Sequence, residues 1–195
     1  MSYPEGFNYN PSNAEHLSLQ RDYLNKLEQT VSSGALNPDV KIISQLNLPE
    51  IRRQFENKSL VLATGVFDIV HIGHVQFLLE AKAQGDILVL GINSDVSVKK
   101  LKGKDRPIIP EDWRLHFTAA FNNVDLVFKF DEETADHHLE LLRPNVYVVF
   151  EESVYPNKPE ILSAQKVGSR IHIVKRFGTR EVSTTAILDK LMREY

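Results

Sequence analysis

The sequence predicts an α/β protein, a Rossmann-like doubly wound parallel sheet of about five strands with an N-terminal helical extension. Three observations carry this. From residue 59 onward, short runs that are apolar almost throughout recur: "SLVLAT", "DILVLGIN", "DLVFKF", "NVYVVF" and "RIHIVKR". Strands without polar alternation are buried on both faces, as in a parallel sheet covered by crossover helices. Between these runs lie stretches of helical periodicity with their own start and stop residues.

The elements follow in order. Residues 1–13 are polar, aromatic and rich in Pro and Asn, which suits an arm. Ser12 and Glu15 have capping-box spacing, Leu17 to Val31 repeat at helical intervals, and Gly34 suits the stop. After the connection "ALNPDVKII", a second helix is predicted from Leu48 to Asn57. Then strands and helices alternate. "GHVQFLLEAKAQG" is an amphipathic helix ended by Gly85, and Asp112 to Phe121 is another. "ETADHHLELL" stops before Pro144, "KPEILSAQKVG" follows the fourth strand, and "STTAILDKLMREY" is a last helix capped by Ser183. The expected division is an arm and helical extension over 1–57 and a single α/β domain over 58–195.

Composition narrows the function. The 195 residues include 42% hydrophobic and 25% charged, a globular balance. Lys and Arg number 23 against 26 Asp and Glu, a net charge of −3, which argues against a general nucleic-acid binder. No cysteine is present, so thiolate metal sites and disulfides are excluded. No apolar run approaches the roughly 18 residues of a membrane span, and the first residues lack the pattern of a signal peptide. A cytoplasmic protein without membrane or nucleic-acid partners is expected.

In such a sheet ligands bind at the carboxyl ends of strands, so the exit of the first strand, "TGVFDIVHIGH", is the first place to look. Gly65 permits close backbone approach or a positive φ. Gly73 lies where a helix begins and its free N–H groups favour an anion. His71 and His74 flank that glycine, and either ring could donate to a phosphate or become cationic near a polyphosphate. Asp68 is placed to orient an imidazole or to face a cation. An H-x-x-H pair alone leaves packing, metal binding and phosphate chemistry open. A metal is disfavoured because the pair straddles a loop-to-helix junction instead of sharing a helical face at i, i+4. Downstream, Lys99, Lys100, Lys102, Lys104 and Arg106 put five positive charges within eight residues, read as a basic loop that Gly103 lets bend. "REVSTTAIL" sets Ser183, Thr184 and Thr185 at a helix start, where hydroxyls and N–H groups can hold an anion.

The string T-G-x-F-D-x-x-H-x-G-H resembles the signature of the HIGH-type nucleotidyltransferase superfamily. Within it, the chain is most similar to the cytidylyltransferase-like family, which includes glycerol-phosphate cytidylyltransferase and the adenylyltransferase domain of bacterial heptose-phosphate enzymes. The resemblance continues through "GINSDVSVKKLKGKDRPIIPEDWR" and "VSTTAILDKL" and spans residues 41–192. It implies transfer of a nucleoside monophosphate from ATP or CTP to a sugar- or polyol-phosphate, with release of pyrophosphate. By this resemblance His71, His74, Lys99 and Arg114 would be catalytic. Thr64, Gly65, Phe67, Asp68, Gly73, Lys102, Ser183, Thr184 and Thr185 would bind the nucleotide and its phosphates. Arg176 and Arg180 could add phosphate contacts. Mg²⁺ would be held mainly by the nucleotide's phosphates, with no dedicated protein site, and a homodimer is implied. One departure stands out. Where relatives carry a glycine-rich G-G-D-Y-like segment after the fourth strand, this chain has Phe150, Glu151 and Glu152. Two acids near a triphosphate repel it unless a cation intervenes or they point away; alternatively they could bind the hydroxyls of a sugar or polyol. The alternative reading is a nucleotide-binding protein of the same fold with lost or altered catalysis.

Overall fold

A computed structural model describes residues 38–155, 157–175 and 183–194, with positions 22, 25, 26 and 28–31. Residues 1–13, Gly34, Arg176 and Arg180 lie outside the described residues; the described positions between 22 and 31 are helical. In chain order come α1 (Pro38–Lys41), a 3₁₀ turn (Gln45–Asn47), α2 (Leu48–Gln54), β1 (Leu60–Gly65), α3 (Ile72–Lys82), β2 (Ile87–Asn93) and α4 (Asp95–Lys102). Then follow α5 (Glu111–Ala119), β3 (Leu126–Phe130), α6 (Asp136–Leu142), β4 (Val146–Phe150), a 3₁₀ turn (Glu151–Ser153), α7 (Pro159–Lys166), β5 (Arg170–Val174) and α8 (Thr184–Glu194).

The five strands form one parallel sheet in the order β3-β2-β1-β4-β5. Burial on both faces is visible in β1. Leu60 and Leu62 point into one core cluster, with Ile87, Val89, Tyr147 and Val149. Val61 and Ala63 point into the other, with Leu88, Leu90, Val146 and Val148. Phe77, Leu78 and Ala81 of α3 fill the second cluster, while Leu139 of α6 and Ala164 of α7 fill the first. The two helix layers thus lie on opposite faces. The strand order reverses between β1 and β4, so a crevice opens there at their carboxyl ends.

The segment before β1 packs against this sheet. Ile43, Leu48, Ile51 and Phe55 belong to the same core cluster as Leu60 and Leu62. Ile42 makes a parallel bridge to Val127 of β3, and Ile43 N–H donates to Val127 O at 2.8 Å. Lys41 Nζ donates to Phe121 O and Val124 O at 3.1 and 2.9 Å. Among the described residues no helix is long and apolar enough to cross a membrane.

One local expectation is corrected. The basic stretch is not a loop through its first half: α4 covers Asp95–Lys102. Ser94 caps it by accepting from Ser97 N–H, Asp95 sits in its first turn, and Lys99, Lys100 and Lys102 sit in its last. This is the charge order a helix dipole favours. Gly103, at φ 94°, ends the helix in a conformation that suits glycine. The connection before α2 holds α1 and the bridge at Ile42.

Candidate active site

The crevice is a cavity of about 580 Å³. Much of its wall comes from the β1 exit (Thr64, Gly65, Phe67, Asp68) and the start of α3 (His71, Gly73, His74). Lys102 from the end of α4 and Ser183, Thr184 and Thr185 from the start of α8 complete that side. Residues up to 121 positions apart in sequence therefore converge on one space.

The β1 exit is tightly built. A Cβ on Gly65 would stand 2.9 Å from the Phe67 ring, so close approach is what requires glycine there. Phe67 takes φ 51°, a left-handed conformation rare for an aromatic residue. Its ring is buried and lies 5.0 Å from the His74 ring. His71 precedes α3 in extended backbone, and its ring stacks on His74 at 3.9 Å between centroids. His71 N–H donates to His74 Nδ1 at 3.3 Å. A neutral His74 therefore carries its proton on Nε2 and is a donor there. Burial, with the adjacent His71 and Lys102, pushes its pKa down to about 3, so the ring is neutral near pH 7.

Asp68 is buried, and the cation it faces is Arg106, whose Nη2 stands 2.6 Å from Oδ2. Its oxygens also accept from Arg106 Nε–H at 2.9 Å and from the Ile108 and Ile109 amides at 2.9 and 2.8 Å. Of its two expected roles Asp68 takes the second, facing a cation, and so fastens the β1 exit to the segment after α4. Thr184 Oγ1 donates to Ile69 O at 3.3 Å, which ties α8 to the same exit. Ser183 Oγ accepts from Ala186 N–H at 3.1 Å, the expected cap.

Lys99 and Arg114 stand elsewhere than expected. Among the lysines of the basic stretch, Lys102 lines the cavity and Lys99 does not. Desolvation, then the nearby Arg106, lowers the Lys102 pKa. Arg114 is 0% exposed and is not part of the cavity wall. Its Nε donates to Ile109 O at 2.9 Å, Nη1 to Val66 O and Asn93 O at 2.7 Å each, and Nη2 to Asp95 Oδ1 at 2.7 Å. It braces the exits of β1 and β2 against α4 and α5, with its guanidinium bonded within the protein.

The departure after β4 takes a definite form. Phe150 lines the cavity and stacks on Phe77 at 4.3 Å, while Glu151 and Glu152 are exposed in the 3₁₀ turn and do not line it. Sequence reasoning missed other parts of the wall, among them Asn93, Glu133, Tyr147, Tyr155, Lys158 and Glu160. Tyr147 Oη lies 3.2 Å from Thr64 Oγ1, and burial, then nearby Glu160, raises its pKa. A polar-tipped ring inside an apolar strand was the available signal. For Lys158 and Glu160 there was none. Among the described residues no group of three His, Asp or Glu side chains comes together as a metal cage.

Comparison with known proteins agrees with this architecture. The sequence model of the family described as cytidylyltransferase-like matches residues 62–190. The chain is 41% identical over 138 residues to the bifunctional protein HldE of Geobacter metallireducens, covering 71% of this chain and 28% of that protein. It is 34% identical over 174 residues to HldE of Syntrophotalea carbinolica, covering 87% of this chain and 35% of that one. It thus spans well under half the length of these relatives. Among solved structures, the lipopolysaccharide core biosynthesis protein from Thermoplasma volcanium GSS1 superposes with a TM-score of 0.50 at 29% identity, over 63% of this chain and 98% of that chain. The family match runs from β1 into α8 and so contains both imidazoles, Lys102 and the Ser183–Thr185 turn: the chain belongs to the cytidylyltransferase-like family of nucleotidyltransferases.

Proposed function

We propose that the chain transfers a nucleoside monophosphate from ATP or CTP to a phosphorylated sugar or polyol and releases pyrophosphate. The observation that carries this is the convergence of His71, His74, Lys102 and the hydroxyls of Ser183–Thr185 on one cavity at the reversal of strand order. The HldE relatives and the resemblance to heptose-phosphate adenylyltransferases favour a sugar phosphate as acceptor.

An oxygen of the acceptor phosphate attacks the α-phosphorus in line. The new P–O bond forms as the bond to the bridging oxygen breaks, and that oxygen leaves with pyrophosphate. The acceptor is already an anion, so no enzyme nucleophile is required. Catalysis comes from positioning and from donors fixed where charge develops. His74 gives its Nε2–H to the α-phosphate region with His71 beside it, and neither needs to change protonation. Lys102 neutralises charge on the phosphates. The start of α8, with Ser183, Thr184 and Thr185, holds the leaving pyrophosphate. Thr64, Gly65, Phe67 and Gly73 shape the floor, with Asp68 fixing it. Lys99 adds to the positive field from one turn away, and Arg114 positions the exits.

Asp68 has both oxygens committed to Arg106 and backbone amides. Mg²⁺ would therefore be carried by the triphosphate, with no dedicated set of carboxylate or imidazole ligands among the described residues. When bound, it adds charge neutralisation across the phosphates. The same reading carries a cytoplasmic setting, a homodimer, and residues 58–195 as the catalytic unit with the preceding segment as its buttress.

The test is pyrophosphate release with ATP or CTP and Mg²⁺ against a panel of sugar and polyol phosphates. Turnover with one pair above the no-enzyme rate is expected. Tight nucleotide binding without release would replace this reading with a non-catalytic nucleotide-binding protein.

A further inference from the structure

Building on the function just proposed, we propose that Lys158 and Glu160 form the hydroxyl-reading subsite of the acceptor, selecting a sugar or polyol phosphate that carries a vicinal diol. Glu160 lies in the first turn of α7, lines the cavity and is 6% exposed. Its Oε1 is 3.5 Å from Lys158 Nζ, and Oε2 is buried without a hydrogen-bond partner among the described residues. A carboxylate in a first helical turn is stabilised at the surface without any burial. Burying one with an unmatched oxygen is unfavourable. A pair at 3.5 Å is also looser than the roughly 2.7–2.9 Å of a direct charge-assisted bond. Both residues line the cavity, so the pair sets an acceptor oxygen and ammonium donors together at its wall. A vicinal diol completes both: one hydroxyl donates to Glu160, and its neighbour accepts from Lys158.

Placement assigns the pair to the acceptor and not to the phosphates. α3, with both imidazoles, packs on the sheet face of Phe77 and Leu78. α7 packs on the other face, where Ala164 joins Tyr147. Attacking and leaving oxygens stand in line on opposite sides of the α-phosphorus. With pyrophosphate held by the phosphate-facing helices, the acceptor enters from across the strand ends, where Glu160 stands. A carboxylate is also ill suited to face a polyphosphate.

The experiment is steady-state pyrophosphate release by the full chain, with the nucleotide and the diol-bearing sugar phosphate that the unsubstituted protein turns over. For Glu160→Gln, KM for the acceptor should rise at least about tenfold while KM for the nucleotide stays within about twofold. Lys158→Met should show the same split. With a deoxy acceptor lacking one hydroxyl of the diol, unsubstituted protein and Glu160→Gln should become alike. An unchanged acceptor KM in both variants overturns the proposal. So does a rise confined to the nucleotide KM, which would assign the pair to the base or ribose. Failure of the unsubstituted protein to turn over any acceptor overturns the function itself, and this subsite with it.

Discussion

The wall built from the β1 exit, α3 and α8 differs from the wall built by β4 and α7 in how its polar groups are partnered. On the first, His74 Nδ1, both Asp68 oxygens, Thr184 and Ser183 are bonded within the protein. On the second, Tyr147 meets Thr64, but Glu160 keeps one oxygen unmatched among the described residues and a loose contact to Lys158. On the proposed function, the first wall is fixed in advance for a chemically constant group, a phosphate chain. On the same proposal, the second leaves its polar capacity for the molecule to be activated. Preorganisation favours rate where charge develops, while unsatisfied groups favour discrimination between partners.

Four tests show how far this contrast holds. The largest effect is expected at the brace behind the first wall. Arg114→Met leaves Val66 O, Asn93 O, Ile109 O and Asp95 without their shared partner and should lower unfolding free energy by about 3–5 kcal/mol, read by urea denaturation. If stability is unchanged, the first wall is not held from behind. His74→Ala should reduce pyrophosphate release by at least ~100-fold with the circular-dichroism spectrum preserved. A near-normal rate would remove the imidazole from the chemistry. Lys102→Gln should raise KM for the nucleotide by about tenfold and Lys99→Gln by less than about twofold. Equal effects would mean that charge near the cavity matters more than contact with it.

The fourth is a pH dependence. His74 is held at about 3 in the fold against an ordinary value of 6.5, so the unfolded chain binds this proton more readily. Its contribution to stability is therefore complete above pH 6.5 and falls as pH drops from 6.5 toward 3. Denaturation midpoints across that window should decline less steeply for His74→Gln than for the unsubstituted chain. Equal slopes would mean that the ring is not held neutral.

What could be read from the chain alone follows the range of the interactions. β1 and β4 announce a parallel sheet because both faces are apolar, a property of consecutive residues. His71, Gly73 and His74 fall within four positions, and one helix start brings them together. Asp68 and Arg106, by contrast, meet across 38 positions, and Arg114 reaches Val66 across 48. Spacing could not show that both are committed internally. α4 was hidden by its own lysines, which read as a basic loop until Ser94 and Gly103 are seen as its two ends. Glu160 resembles any acid in a first helical turn. Only the fold shows that it is buried.

The parallel bridge from Ile42 to Val127 has a consequence for how the chain can be shortened. β3, with the sequence LVFKF, is the outermost strand on its side of the sheet. The bridge and the Ile43 amide cover part of its outer edge. A truncation starting after Ile43 would bare that edge as a template for strands of other molecules. Such a protein should form aggregates under conditions where the longer chain stays dispersed, as light scattering would record.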